Sequence, residues 1–262
     1  MYTNMVGLEA EYLLRNEEGE LVSPDDYRLS TDGFPLLGEV RGDPGKTRAE
    51  TVANFFKGWY ENLYEIALLD EVLTVDLSGW GVVTPEVYAA AMRSMGTKEV
   101  AHCENIYGTD LLSLSNKITK RGTITSVVLT TGLHVHFSAE HTVKLTTSNL
   151  KSYDLPLKFG DATIKTLTLY EKVRGDREKV GKISRITKPV VRAFVEAFDK
   201  EILPNYGVKA TSRVKDAMKF RQPGFFETKR YGFEYRSLPF TEQVLADLYK
   251  ITDFAYTLLE SL

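Results

Sequence analysis

The feature that most constrains this chain is a spacing. Four segments each carry two ionisable residues one position apart, with apolar neighbours and a nearby preceding glycine. They are Glu9 and Glu11 in "GLEAEYLL", Glu39 and Arg41 in "GEVRG", His134 and His136 in "GLHVHFS", and Glu234 and Arg236 in "GFEYRSLP". In an extended strand, residues i and i+2 point the same way. Each segment therefore reads as a strand with an ionisable face and an apolar face, the latter carrying Leu8, Ala10, Val40, Val135 and Tyr235. A half-solvated antiparallel sheet accounts for any single pair. Wet faces usually carry Lys, Thr, Ser and Gln, whereas these carry carboxylates, imidazoles and arginines. Carboxylates and neutral imidazoles ligate divalent cations, and arginine grips phosphate oxygens in a two-pronged contact. If the four pairs share one concave sheet face, that face would hold several cations and an anionic ligand such as ATP. Clustered carboxylates repel one another unless metal ions neutralise them.

The remaining sequence fits an ordinary α+β protein. The 262 residues suffice for a substantial core, and 43% hydrophobic with 26% charged residues is the balance of a globular chain. A net charge of −3 gives no basic field, so nucleic acid is not an expected partner. Cys103 is the only cysteine, which excludes an internal disulfide and suits a reducing, cytoplasmic setting. "MYTNMVGLEAEYLL" lacks a basic region followed by an apolar core, so no secretory signal is expected, and no apolar run is long enough for a membrane span.

Periodicity predicts the elements. Strands are expected at 4–14, 35–42, 71–77 and 230–239, and at 123–138 either as one strand or as two broken near Gly132. Residues 47–69 read as a helix with an apolar stripe of Val52, Phe55, Phe56, Trp59, Leu63 and Ile66. A short helix spans 84–95, with Thr84 as its N-cap and Pro85 at its first position. Another covers 188–202. A closing helix from Thr241 carries Val244, Leu248, Ile251, Phe254 and Leu258 on one side. Residues 141–185 mix short β-like runs with "EKVRGDREKVGK", which reads as a solvated loop. With no internal repeat and no low-complexity linker, residues 1–262 are expected to form one domain.

Other motifs are weaker. "GDPGKT" (42–47) suggests a phosphate-binding loop, but Val40 stands where that pattern needs glycine. His-x-His could open a zinc site, yet the other histidines and the lone cysteine supply no recognisable ligand spacing. His102 beside Cys103 reads better as a buried cysteine than as a thiol nucleophile. Asp32-Gly33 is a turn signal, and Asp32 could also reach the carboxylates.

Taken in order, "VGLEAEY" (6–12), "DGFPLLGEVRGDPG" (32–45), "GLHVHFS" (132–138) and "YGFEYRSLP" (231–239) resemble the phage-type COOH-NH2 ligases of the glutamine synthetase and glutamate–cysteine ligase superfamily. The likeness spans nearly the whole chain through short segments, and their order and spacing carry it. It implies a curved, mainly antiparallel sheet with helices on its outer face, as in glutamine synthetase. It also implies an ATP site at one end of the sheet and Mg2+ or Mn2+ ions between nucleotide and substrate. By position, Glu9, Glu11, Glu39 and Glu234 match the family's metal-binding glutamates, with Asp32 a further candidate. One of His134 and His136 matches its metal- or phosphate-contacting histidine. Arg221 and Arg230 resemble arginines that precede the last motif and contact phosphate. Arg236, Arg230 and Arg41 are the implied catalytic arginines.

The implied reaction joins a small-molecule or peptide carboxylate to an amine through an acyl phosphate, in the host cytoplasm if the chain is phage-encoded. Residues 141–185 match nothing in the family pattern, and no residue identifies the acid or the amine. Two other readings stay open: an interaction protein that keeps the fold without activity, and a metal-dependent hydrolase. Arg236 divides the readings, since it faces phosphate in a ligase and pairs with Glu234 or another carboxylate otherwise.

Overall fold

A computed structural model describes residues 3–31, 33–97, 117–145, 158–159, 162–164, 169–173, 176–218, 221–229 and 231–262. Asp32, His102, Cys103 and Arg230 lie outside the described residues. The strands are β1 (Thr3–Arg15), β2 (Leu21–Val22), β3 (Gly38–Arg41), β4 (Thr74–Asp76), β5 (Trp80–Val83), β6 (Lys117–Lys120), β7 (Thr123–Thr130), β8 (Gly132–Leu145), β9 (Lys158–Phe159), β10 (Ala162–Ile164), β11 (Leu169–Val173), β12 (Asp176–Ser184), β13 (Phe226–Thr228) and β14 (Gly232–Pro239). The helices are α1 (Arg48–Ala67), α2 (Pro85–Ser94), α3 (Lys188–Glu201), α4 (Ser212–Ala217), α5 (Glu242–Ala246) and α6 (Leu248–Glu260). The fold is α+β. Among the described residues every strand pairing is antiparallel, with an 11-stranded sheet built around β1 and β8 and a 3-stranded sheet in the order β5-β7-β6.

The apolar face of the strands builds the core. Val6, Leu8, Ala10 and Tyr12 of β1 join Leu133, Val135, Phe137 and Ala139 of β8, and Phe233 and Tyr235 of β14. Helices cover this face: Phe55 and Trp59 from α1, Phe194 and Phe198 from α3, and Ile251 and Ala255 from α6 belong to the same cluster. Phe137 stacks on Phe233 at 4.6 Å between ring centroids and meets Phe194 and Phe198 edge-on at 5.6 and 5.5 Å. A side chain of this size contributes about 1.5–3 kcal/mol when fully buried. Helix α1 starts at Thr47, whose side chain accepts a hydrogen bond from the Glu50 N–H, and Thr84 caps α2 in the same way through the Val87 N–H.

Of the two alternatives for residues 123–138, the structure has two strands broken at Thr131, and these enter different sheets: β7 joins β5 and β6, whereas β8 is central to the large sheet. The break turns the chain from one sheet to the other. Two other expectations change. The charged stretch read as a loop instead supplies most of a strand pair, with Glu171 opposite Glu178 and Lys172 opposite Arg177. Strand β12 then extends the pairing onto β8, with Ser184 opposite Glu140. Non-local pairing decides the structure here and overrides composition. The closing helix is broken at Asp247 into α5 and α6. The Asp247 carboxylate accepts hydrogen bonds from Gln243 at 2.7 Å and the Tyr206 hydroxyl at 3.2 Å. The buried face of α6 includes Ala255, Tyr256 and Leu259, while Phe254 and Leu258 are only half-buried.

Candidate functional site

The strand register brings the polar pairs together. Along β1, Glu9 stands opposite Arg41 of β3 on one side and His134 of β8 on the other. Glu11 stands opposite Glu39. Along β8, His136 stands opposite Gly7 of β1 and Glu234 of β14, and Glu234 stands opposite Glu227 of β13. Directly opposed residues in an antiparallel pair share a face. All four pairs therefore project from one surface of the sheet, opposite the helix-covered core. Tyr235 stands opposite Val135 and Leu238 opposite Leu133, so Arg236 and Ser237 both fall across from His134 alone. This bulge adds one residue to β14 beside the cluster.

This face is buried. Glu11, Glu39 and Glu234 are 1%, 3% and 1% exposed, His134 is inaccessible, and Arg236 is 4% exposed. Its charges are closely paired. The Arg41 guanidinium bridges Glu9 at 3.0 Å and Glu39 at 2.7 Å. Arg236 donates to Glu234 at 2.5 Å and lies 3.8 Å from Glu11. Arg221 pairs with Glu11, donates to the Arg236 carbonyl at 2.8 Å and lies 3.2 Å from His134 Nε2. Lys229 reaches Glu227 at 2.7 Å and Glu234 at 2.9 Å. Four fixed cations, Arg41, Arg221, Lys229 and Arg236, thus face five carboxylates: Glu9, Glu11, Glu39, Glu227 and Glu234.

His134 completes the balance. Its Nδ1 lies 3.0 Å from Glu234 and 3.3 Å from Glu9, and its Nε2 lies 3.4 Å from Glu11. Burial and the Arg236 charge oppose its protonation, but Glu11 and Glu234 outweigh them and push it up to about 9. Burial would raise Glu9, yet hydrogen bonds from His134 and His136 hold it well below the usual carboxylate range. Burial opposes ionisation of Glu234 as well, and His134 and Arg236 hold it low.

Two glycines of the motifs have steric roles. A Cβ on Gly132 would lie 2.2 Å from the Arg221 guanidinium carbon, and the Gly132 N–H donates to Glu11 at 2.8 Å. A Cβ on Gly232 would lie 2.0 Å from the Phe137 carbonyl oxygen.

Among the described residues, Glu9, His136 and Glu234 can share one metal ion, with one ligand atom from each lying within 4.8 Å of the others. Two carboxylates and an imidazole suit Mn2+ or Mg2+. His136 Nδ1 lies 2.6 Å from the Tyr231 hydroxyl, a contact that fixes the ring and leaves Nε2 toward Glu9 at 3.4 Å. Burial and the charges of Glu234 and Glu9 keep the Tyr231 hydroxyl protonated far into the alkaline range. Beside this group a pocket of about 360 Å³ is lined by residues including Glu9, Arg41, His136, Ser138 and Tyr231. It lies at the small end of the ~300–1,000 Å³ typical of ligand sites.

Sequence reasoning brought together Glu9, Glu11, Glu39, His134, His136, Glu234, Arg41, Arg221 and Arg236, and the fold places them all in this cluster. It missed Glu227, Lys229 and Tyr231. Glu227 and Lys229 carry the same i, i+2 signal in "FETKRYGFEYR", just ahead of the last motif. Among the described residues, no helix is long and apolar enough to cross a membrane. Comparison with known proteins finds no matching family model, no matching curated protein and no matching solved structure.

Proposed function

We propose that this protein is an ATP-dependent carboxylate–amine ligase with a glutamine synthetase-like catalytic fold. The observation that carries the proposal is the convergence of four i, i+2 pairs, from β1, β3, β8 and β14, on one buried sheet face beside a pocket. The order of these motifs along the chain, and their likeness to the ligase pattern, support the same reading.

In this reading a substrate carboxylate attacks the γ-phosphate of ATP, and an amine then displaces phosphate from the acyl phosphate to form an amide. Glu9, His136 and Glu234 are the residues that would hold Mg2+ or Mn2+, which would offset charge on the transferring phosphoryl group. Arg41, with its side chain 66% exposed at the pocket, is placed to meet an incoming anion. Arg221 and Arg236 are too deeply buried for that role unless they leave their carboxylates. Their contribution is to orient Glu11 and Glu234, and Arg236 also keeps Glu234 ionised.

A second reading has two observations in its favour: Arg236 pairs with Glu234, the outcome expected outside a ligase, and the cluster's fixed cations and His134 already match its carboxylates. A non-catalytic protein could use the face as a salt-bridged core. Buried ion networks are a poor source of stability, because desolvation offsets most of the attraction. That consideration favours a functional role for the face. The test is phosphate release from ATP over paired acids and amines with Mg2+ or Mn2+, with mass spectrometry for the amide. Release that requires both partners supports the ligase. Metal-dependent hydrolysis without nucleotide would replace it with the hydrolase, and no turnover across the panel would favour the non-catalytic reading.

A further inference from the structure

The four most exposed large hydrophobic side chains among the described residues all fall in one short segment. They are Tyr60 at 64%, Tyr64 at 66%, Leu68 at 65% and Val72 at 63%, spaced four residues apart. Tyr60, Tyr64 and the C-cap Leu68 form one row along the outside of α1, and the half-buried Phe56 extends it toward the N-terminus by stacking on Tyr60 at 5.9 Å. The inner side of the same helix is already used: Phe55, Trp59 and Ile66 belong to the core. Scattered exposed apolar residues need no explanation, but a contiguous aromatic row does. Tyrosine is enriched where interfaces concentrate their binding energy.

We propose that this row is a self-association surface, on which α1 of one copy packs antiparallel against α1 of a second copy about a two-fold axis that crosses the row between Tyr60 and Tyr64. The charges beside the row select this occupant. Lys57, Glu61 and Glu65 are exposed and form the adjoining row at the same four-residue spacing. Lys57 and Glu65 lie on opposite sides of the axis, so antiparallel pairing brings each copy's lysine to within about 3 Å, measured along the helix, of the other copy's Glu65. A two-fold contact makes this pair twice, which is the self-complementarity such an interface requires. The two Glu61 carboxylates oppose each other near the axis, which weakens the contact. A row flanked by two carboxylates and one lysine is poorly suited to an anionic lipid surface. The surface lies on the helix side of the sheet, so this inference stands independently of the ligase reading.

Sedimentation equilibrium of the whole chain from low to high micromolar concentration tests it. Wild type should show a reversible monomer–dimer equilibrium. Tyr64→Ser should weaken it by about tenfold or more, the loss expected of a central interface tyrosine. Lys57→Glu should also weaken it, and adding Glu65→Lys to that variant should restore it, because the exchanged charges face each other again. Circular dichroism confirms that each variant remains folded. A wild-type monomer at every concentration, an association indifferent to Tyr64→Ser, or a double charge exchange without recovery would each overturn the proposal.

Discussion

Strands β1, β8 and β14 have two faces that share one backbone, one register and nearly the same burial, yet they are built from opposite chemistry. On the helix side, Leu8, Val135, Phe137 and Phe233 pack without charge, and what stabilises them is apolar area removed from water. On the other side, Glu9, Glu11, His134, His136, Glu234 and Arg236 are placed within hydrogen-bonding reach of one another. The contrast shows where the fold gains stability and where it holds a costly arrangement. An apolar face loses energy in proportion to the volume removed. An ionic face loses little if both partners go, and much if only one does.

That difference can be broken experimentally, and the largest effects come first. Phe137→Ala should lower unfolding free energy by about 3–5 kcal/mol, read from urea titration, because its contacts with Phe194, Phe198 and Phe233 leave a cavity that cannot close. Arg221→Met should cost a similar ~3–5 kcal/mol by leaving the buried Glu11 carboxylate without its strongest partner. Adding Glu11→Gln should recover most of that loss, whereas no polar substitution rescues Phe137→Ala. A loss under about 1 kcal/mol in Arg221→Met would mean that the ionic face is wet, like an ordinary surface pair.

The pH dependence sharpens the same contrast at a smaller magnitude. His134 is raised to about 9 in the folded protein, above its ordinary ~6.5. Its contribution, on the order of 3 kcal/mol, is fully present below about pH 6.5 and is lost as the pH rises through about 9. Glu9 and Glu234 are lowered, so their contribution is present above the usual carboxylate range and is lost on acidification. The melting temperature of wild type should therefore fall on both sides of neutrality, and His134→Gln should flatten the alkaline fall. An unchanged alkaline limb in that variant would contradict the buried imidazolium. The smallest stability effect belongs to Arg41→Ala. With its side chain 66% exposed, water can take its place, so its loss should cost less than that of Arg221, about 1–3 kcal/mol for a charge-assisted partner taken from the buried Glu39 and Glu9 carboxylates.

Much of this arrangement is legible in the sequence because the signal is local. Alternation alone separates Leu8, Ala10, Val40, Val135 and Tyr235 from the ionisable residues, and the helix periodicity of 47–69 picks out Phe55, Trp59 and Ile66. Register is not local. Nothing in "GLHVHFS" says that His136 lies across from Glu234 and His134 across from Glu9; the pairing of β8 with two strands from opposite ends of the chain decides it. The same limit explains the strand pair in "EKVRGDREKVGK", whose charges resemble a loop until β8 supplies a partner for β12. The split of 123–138 between two sheets is equally a tertiary choice. Arg236 shows both sides of the problem: its face and a pairing with Glu234 were readable, whereas its burial and the bulge beside His134 were not.

The central claim is that the ionic face is a metal–nucleotide centre and not merely a salt-bridged core. Titration with Mn2+, followed through the electron paramagnetic resonance of the free ion with and without ATP, tests this most directly. The account predicts that wild type removes Mn2+ from solution, that ATP tightens the binding, and that His136→Gln abolishes it while the variant still melts cooperatively. A folded wild-type protein that binds no Mn2+, alone or with ATP, would contradict the metal site and the ligase reading built upon it.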